Sequence, residues 1–504
     1  MISDWFGKWN MYDPGKVAVE EHETGRAFTY GQFHQLGNYL AGWLMGSLKL
    51  KQGDRIAILA ENCLEYVALF AAAQKTGLIL VPLNYRLTAR EIDFLLFDSS
   101  PSIVFYDRKF LEKLTPSSHF QQVSHSVSLD ELSSVCNDFI NSGNEADFEN
   151  LPFDEDHPLF IIYTSGTTAF PKGSVYTHKM LLWNAINTEI RLDITSEDRS
   201  INCAPPFHTG SWNVLMTPFF LHGAYTLMMR NFDPDAVLKA IENGKMSIFW
   251  GVPTMLKMMA DTPAFQDSNL ASLRYIIVGG EAMPIPLIDL WHSRDIPIRQ
   301  GYGLTEVGPN VTSLNHTDAI RKQGSIGTPN FFYQVKIVDE QGAELKGDAT
   351  GELLLKGPNV TPGYWNNPDA TRETIKEGWF HTGDMVRRDG EGFLYVVDRI
   401  KNMYISGGEN VYPAEVEYLL RKHPGIENVA IIGVPDPKWG ETGKAFIVLK
   451  KGEVLTVEQV KEYCIQNLAK YKTPGHVEFV ADLPKNHAGK IDRKQLKNIN
   501  PAND

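Results

Sequence analysis

Cysteine is scarce: four in 504 residues. Cys63, Cys136, Cys203 and Cys464 stand far apart with no Cys-x-x-Cys pair, so neither a disulfide framework nor a zinc site of familiar spacing is encoded. They read as thiols of a reducing compartment. Positive charge is also short, with 48 Lys plus Arg against 61 Asp plus Glu, a formal net of −13. So acidic a surface argues against nucleic acid or anionic lipid as the main partner, because attraction to phosphates dominates such binding. Long apolar runs are absent too. The most apolar window, Tyr66 to Tyr85, is broken by Gln74, Lys75 and Pro82 and falls short of the ~20 apolar residues a span needs. The opening MISDWFGKWN lacks the basic head and apolar stretch of a secretory signal, and no internal repeat or low-complexity tract is found. The expectation is a soluble, cytoplasmic protein with no transmembrane segment; peripheral membrane contact and oligomeric state (monomer or homodimer) stay open.

What is present is a globular composition, 43% hydrophobic and 22% charged. At ~150 residues per domain it allows about three domains or one large α/β domain with an appendage. From Thr29 to Tyr106, helix-period segments (TYGQFHQLGNYLAGWLMGSL, ENCLEYVALFAAAQK, AREIDFLLFDS) alternate with short apolar runs (RIAILA, LILVPL, SIVFYD). That order predicts a parallel sheet covered by helices. Between Ser117 and Asp156 the pattern dissolves into Ser, Asn and Asp. Six acidic residues there, Glu145, Asp147, Glu149, Asp154, Glu155 and Asp156, predict a solvated surface excursion rather than a metal site. Strand-like runs resume at LFIIYTS, RSINCAP, YTLMM, SIFWGV, RYIIVGG and IPIRQGYG. Ligands of open parallel sheets sit beyond the carboxyl ends of strands, which directs attention to the loops after these runs. After Gly324 the texture becomes hairpin-like, and beyond Asp398 about a hundred residues form a separable α+β unit.

The segment YTSGTTAFPKGSVYTH, Tyr163 to His178, is the richest in chemistry. Thr164, Ser165, Gly166, Thr167 and Thr168 expose backbone N–H groups and hydroxyls without bulk, which suits phosphate oxygens, and Lys172 adds a point charge. The Walker pattern G-x-x-x-x-G-K-[ST] is absent, so this is a phosphate loop of another kind. It is followed by GGEAMP (279–284), QGYGLTEVG (300–308), WFHTGD (379–384), YVVDRIKNMYISGGENVYPAEVE (395–417) and PKNHAGKIDRKQL (484–496). In this order and spacing the six segments resemble the adenylate-forming superfamily, which includes acyl- and aryl-CoA synthetases, firefly luciferase and the adenylation domains of peptide synthetases. The resemblance, which extends to the fatty-acyl-CoA synthetases, spans essentially the whole chain, with its unspecific part in the first ~150 residues.

The resemblance implies an α/β fold: a large N-terminal domain (1–398) of two α/β subdomains and a small β-barrel, then a smaller mobile α+β domain (399–504). It also implies ATP, Mg²⁺ and coenzyme A as cofactor and co-substrates. Thr164 to Thr168 with Lys172 would hold the β- and γ-phosphates of ATP. Gly279, Gly280, Glu281, Tyr302 and Gly303 would form the adenine slot, where glycines admit a flat base and Tyr302 offers a stacking face. Thr305 would bond the α-phosphate, Glu306 would hold Mg²⁺, Asp384 would accept from both ribose hydroxyls and Arg399 would support that ribose. Lys490 would be the catalytic cation touching both anions as carboxylate meets α-phosphate, where charge builds in the transition state. Because Lys490 would obstruct the later thiol step, family members rotate the C-terminal domain about a hinge, here 398–401 with Lys401 at the pivot. After rotation Ser406, Gly407 and Gly408 would line the pantetheine tunnel, and Trp439, Lys470 and Lys472 would meet the CoA nucleotide. Three positions depart from the common pattern: Ala169 replaces a usual glycine, Ser174 stands where a small apolar residue is common, and Glu281 adds a carboxylate near the adenine slot.

The acid can be narrowed by the same resemblance. Amino-acid-activating relatives place Asp after the Phe of a PPF-like segment to pair the substrate ammonium; APPFHTGSW (204–212) has His208. An unpaired ammonium in an apolar pocket costs several kcal/mol, so an α-amino acid is disfavoured. The acyl pocket would involve His208 as gate, Trp212, Asn213, Val252, Pro253, Met255 and Leu256. This set has no Arg for a second carboxylate, which favours an uncharged medium- or long-chain fatty acid first and an aryl acid such as a coumarate- or benzoate-like one second. Only 14 residues follow Lys490, which leads to the expectation of a free acceptor, CoA first and a separate acyl carrier protein next. A non-catalytic acyl-AMP binder is disfavoured by the intact Thr164, Glu306 and Lys490. Ile405, where beetle luciferases carry a Lys, disfavours luciferase chemistry. The charge deficit is uneven: residues 399–504 hold 16 Lys plus Arg and 13 Asp plus Glu, so this stretch carries +3 and the rest −16.

Overall fold

The computed structural model describes residues 4–164, 171–406, 409–437, 439–468, 470–486 and 489–499. Ser165, Gly166, Thr167, Thr168, Ala169, Gly407 and Gly408 therefore lie outside the described residues. The chain forms two compact units, one from Met1–Val335 with Leu355–Phe380, the other from Lys336–Leu354 with His381–Asp504.

The first unit is α/β, as the alternating pattern predicts. A six-stranded sheet runs in the order His125–Ser128, Ile103–Tyr106, Arg55–Leu59, Ile79–Pro82, Pro158–Thr164, Lys172–Thr177. Neighbours are parallel except the last two, which pair antiparallel from Pro158↔Thr177 to Thr164↔Lys172. A second sheet places Ile248–Gly251, Tyr275–Val278 and Ile298–Leu304 in parallel, followed by the antiparallel Gly308–Ser313. Its parallel strands end at Gly251, Val278 and Leu304, directly before Val252, Gly279 and Thr305. The helix Leu64–Thr76 is buried at every residue, which explains why its sequence shows little one-sided periodicity. Its charges are paired inside. Arg26 reaches Glu65 at 2.9 Å and Glu21 at 3.1 Å, and Lys75 pairs with Asp4 of the N-terminal helix.

Helix starts follow local capping chemistry. The Thr29 and Thr88 hydroxyls accept from the N–H groups of Gln32 and Glu91, whose side chains reach back to the cap. A third box corrects the sequence reading. Ser128 and Glu131 open a 14-residue helix, Leu129–Ser142, inside the stretch expected to be an irregular excursion. Leu129, Leu132, Cys136 and Phe139, at helical spacing, are its buried face. Its polar remainder had hidden that stripe. The acidic run that follows has no regular secondary structure.

In the second unit the strands Ala349–Lys356, Trp379–Arg388 and Leu394–Arg399 follow one another in an antiparallel half-barrel, with Gln334–Val338 at its edge. Beyond it lies an α+β sheet in which Ile426–Asp436 and Gly440–Leu449 pair along ten positions. Tyr404–Ser406 joins the second of these, and His476–Phe479 runs parallel to it. The helices Pro413–Arg421 and Val457–Asn467 contribute Val416, Leu420, Val460 and Cys464 to a core with Val429, Ile431 and Ile447. All four cysteines are free and buried.

Candidate active site

Thr164 ends the strand Pro158–Thr164 and Lys172 begins its antiparallel partner, so the two meet in register. Thr164 Oγ1 lies 3.4 Å from the Lys172 carbonyl. Close strand packing here needs glycine at 173, since a Cβ would come 2.7 Å from Ile161 and 3.2 Å from the Tyr163 ring. Tyr163 is anchored from outside the loop: its hydroxyl donates to Asp98 Oδ2 at 2.6 Å. Burial pushes the Asp98 carboxyl up despite that hydrogen bond, and burial together with Asp98 pushes the Tyr163 phenol up.

The second sheet assembles the other segments of this unit. Beyond Ile248–Gly251 come Val252 and Pro253, beyond Tyr275–Val278 come Gly279, Gly280 and Glu281, and Ile298–Leu304 contains Tyr302 and Gly303. A Cβ on Gly280, whose φ is +84°, would meet Val252 at 3.5 Å, and one on Gly279 would meet the Gly301 carbonyl at 3.6 Å. Gly303 admits no side chain. A Cβ there would lie 2.3 Å from the carbonyl carbon and oxygen of Pro309 on the returning strand. Thr305 and Glu306 then form a one-turn 3₁₀ helix with Val307.

The sequence reading missed Tyr364. Its hydroxyl donates to Glu306 Oε1 at 2.9 Å, and Lys172 Nζ lies 5.3 Å from the centroid of its ring. The only hint in the sequence was the clustering of Gly363, Tyr364 and Trp365 after Pro362.

His208 is half-buried beside Phe207, with ring centroids 4.5 Å apart. Trp212 lies deep in the core against Tyr66, Phe70 and Phe160, and its indole N–H donates to the Pro206 carbonyl at 2.9 Å. Asn213 is fully buried; its amide donates to Thr209, and its carbonyl accepts from Asn184 at 2.7 Å. Both therefore buttress the turn of π-helix Ser211–Met216 behind His208. Pro253 is buried at the start of the helix Pro253–Ala260, with Met255 and Leu256 in the core of this sheet.

In the second unit Asp384 and Arg399 face each other across Trp379–Arg388 and Leu394–Arg399. Arg399 Nε lies 2.5 Å from Asp384 Oδ1, with the Asp side chain 4% exposed and the Arg side chain 40%. Next to them Asp398 accepts from the N–H groups of Arg399 and Ala414 and from Asn402. Burial pushes this carboxyl up against those hydrogen bonds. Lys401 is exposed on the following 3₁₀ turn, and Ser406 is buried in register with Glu409 and Gly440. The Trp439 N–H donates to Asp436 at 2.8 Å. Lys472 is engaged by Glu415 at 2.7 and 2.8 Å, so its charge is partly neutralised within the fold; Lys470 is exposed. Lys490 is exposed beside a tight turn in which its N–H donates to Asn486 Oδ1 at 3.1 Å and its carbonyl accepts from the Asn486 N–H at 2.7 Å.

Among the described residues no group of three or more His, Cys, Asp or Glu gathers to cage a metal. Glu306, a single oxygen donor on the loop side of the sheet, fits the manner in which Mg²⁺ binds, by one or two carboxylates with substrate phosphates completing the shell. No helix among the described residues is long and apolar enough to cross a membrane.

Comparison with known proteins identifies the family. The pattern of the AMP-binding enzyme family matches residues 6–365, and that of the AMP-binding enzyme C-terminal domain matches residues 415–490. A feruloyl-CoA synthase of Amycolatopsis sp is 37% identical over 99% of each chain. A long-chain-fatty-acid–CoA ligase of Mycobacterium tuberculosis is 36% identical over 96% of this chain and 95% of its own. The solved structure of o-succinylbenzoate CoA synthetase from Bacillus subtilis, in complex with the acyl-adenylate intermediate, superposes with a TM-score of 0.87 at 30% identity over 98% of each chain. The chain belongs to the AMP-binding enzyme family, and with it to the adenylate-forming superfamily.

Proposed function

We infer that this enzyme is an AMP-forming acid–thiol ligase that makes an acyl-CoA in two steps. A carboxylate oxygen attacks the α-phosphorus of ATP, the bond to the β-phosphate oxygen breaks, and pyrophosphate leaves an acyl-adenylate. The thiol of CoA then attacks the acyl carbon, loses its proton and displaces AMP. The observation that carries this reading is the gathering of Val252, Gly279–Gly280 and Glu306 just beyond three neighbouring strands, with Tyr302–Gly303 at the end of the last of them, on a chain similar end to end to CoA ligases and synthases. In this reading Tyr302 and the glycines take the base, Thr305, Lys172 and the Thr164–Thr168 loop take the phosphates, and Asp384 with Arg399 takes the ribose. Glu306 would hold Mg²⁺, which supplies neutralisation of the phosphate oxygens. Lys490 stabilises the charge that builds as the two anions meet. The pivot is placed at 398–401, with Lys401 on the turn that bends, and Ser406, Gly407, Gly408 and Trp439 serve the CoA step. Lys472 contributes less than its charge suggests, because Glu415 already holds it.

The acid is uncharged and apolar. His208 stands at its carboxylate, Val252 borders its pocket, and Pro253, Trp212 and Asn213 give that pocket its backing. A fatty acid and an aryl acid both meet this description, and the feruloyl-CoA relative supports the aryl class. The test is AMP release with decanoate or ferulate and either CoA or a phosphopantetheinyl carrier protein. Acid-dependent AMP release with CoA supports the reading, and no CoA thioester from any member of either acid class overturns it.

A further inference from the structure

Resting on the nucleotide reading above, a second layer of the phosphate site is visible in the segment Thr361–Trp365. This short stretch is stitched to two separate candidate elements. On one side the Thr361 N–H donates to the Glu306 carbonyl at 2.7 Å. On the other, the Thr361 hydroxyl donates to the Val175 carbonyl at 2.7 Å, the Val175 N–H to Gly363 at 3.1 Å and the Trp365 N–H to Gly173 at 2.7 Å. Ser174 and Tyr364 form an isolated antiparallel bridge. The segment thus bridges to Lys172–Thr177 while gripping the 3₁₀ turn that carries Glu306.

Its backbone is tightly constrained. Gly363 has φ +148°, and a Cβ there would fall 2.5 Å from Thr371, whose hydroxyl accepts from the Tyr364 N–H at 2.9 Å. The Trp365 indole N–H donates to the Asp98 carbonyl at 3.1 Å, and Asp98 is the residue that holds Tyr163 next to Thr164. Tyr364 is therefore locked from both sides, and its side chain is aimed at the two charged groups already assigned to phosphate and metal. The hydroxyl engages Glu306 Oε1; Oε2 carries no hydrogen bond among the described residues. The electron-rich ring lies under the ammonium of Lys172.

We propose that Tyr364 is a positioning residue that couples the metal-binding carboxylate to the phosphate-binding lysine. By donating to one oxygen of Glu306 it fixes the carboxylate with the other oxygen available to a cation. By its ring it holds the Lys172 ammonium in place before nucleotide arrives. Such pre-orientation saves the ordering cost that binding otherwise carries.

The test measures binding rather than turnover. The dissociation constant of α,β-methylene-ATP is determined by calorimetry with and without Mg²⁺ for wild type, Tyr364→Phe, Tyr364→Leu, Glu306→Gln and the double variant Tyr364→Phe/Glu306→Gln. Tyr364→Phe keeps the ring and removes one hydrogen bond to a charged group. It should cut the Mg²⁺-driven tightening about tenfold, a larger effect than its change in metal-free affinity. In the Glu306→Gln background the same change should add nothing, because its effect passes through that carboxylate. Tyr364→Leu should also weaken metal-free binding about two- to fivefold by removing the face beneath Lys172. Full Mg²⁺ tightening in Tyr364→Phe, equal weakening with and without metal, or an undiminished effect in the Glu306→Gln background would each overturn the proposal. Wild-type protein that binds no nucleotide would instead overturn the nucleotide reading on which it rests.

Discussion

His178 offers a prediction whose size follows from its surroundings. It is the first residue of the helix His178–Leu192 and only 3% exposed. Phe153 lies 4.6 Å from its ring and His157 6.3 Å, and neither ring nitrogen has a hydrogen-bond partner among the described residues. Burial, with a smaller contribution from His157, pushes its pKa down from 6.5 to about 3. A helix N-terminus also disfavours a cation. The unfolded chain takes up a proton near pH 6.5 and the folded chain does not, so stability is complete above that pH and falls as the solution is acidified towards 3. One pH unit corresponds to about 1.4 kcal/mol, which makes the loss from this residue about 2 kcal/mol at pH 5. His178→Leu removes the titration without breaking a hydrogen bond. Urea unfolding followed by fluorescence should find variant and wild type within about 1 kcal/mol at pH 7.5. At pH 5 the variant should have lost about 2 kcal/mol less than wild type. Parallel pH profiles for the two proteins would refute the argument.

Three further expectations concern the reaction. Lys490→Ala should abolish adenylate formation, read by pyrophosphate release, yet spare thioester synthesis from supplied acyl-AMP; equal loss of both half-reactions would remove the role given to Lys490. Lys401→Pro should slow the thioester step more than adenylation by restricting the pivot, whereas equal effects on the two would count against a hinge at 398–401. Gly303→Ala should cost about 1–3 kcal/mol or more and weaken binding of an ATP analogue, since the added Cβ would press on the Pro309 backbone. Wild-type melting temperature and nucleotide affinity in that variant would contradict the packing described.

The alternation of apolar runs with helix-period segments read the parallel sheets well, because a buried strand such as Ile56–Ile58 or Ile276–Val278 is apolar on both faces whatever its neighbours. The helix Leu129–Ser142 was missed because its composition is that of a loop; its Ser128–Glu131 capping box was the signal to weigh. The candidate segments were legible as motifs, but their partners were not. Tyr364 is 58 residues from Glu306, Asp98 is 65 from Tyr163, and Glu415 is 57 from Lys472. Spacing along a chain says nothing of pairs joined only when sheets assemble. Trp212 shows the converse, a residue placed at the acyl pocket by its motif whose ring packs into the aromatic core.

The charge asymmetry fits the proposed chemistry, since phosphates of ATP and CoA approach a largely acidic chain whose last hundred residues are net positive. In the proposed sequence a carboxylic acid is activated as an adenylate before any thiol takes part. Exchange of labelled pyrophosphate into ATP, measured with CoA omitted across fatty and aryl acids, tests it most directly. Exchange is expected to require both Mg²⁺ and an acid of one of these classes. Exchange that proceeds only when CoA is present, or that no acid of either class supports, would contradict it.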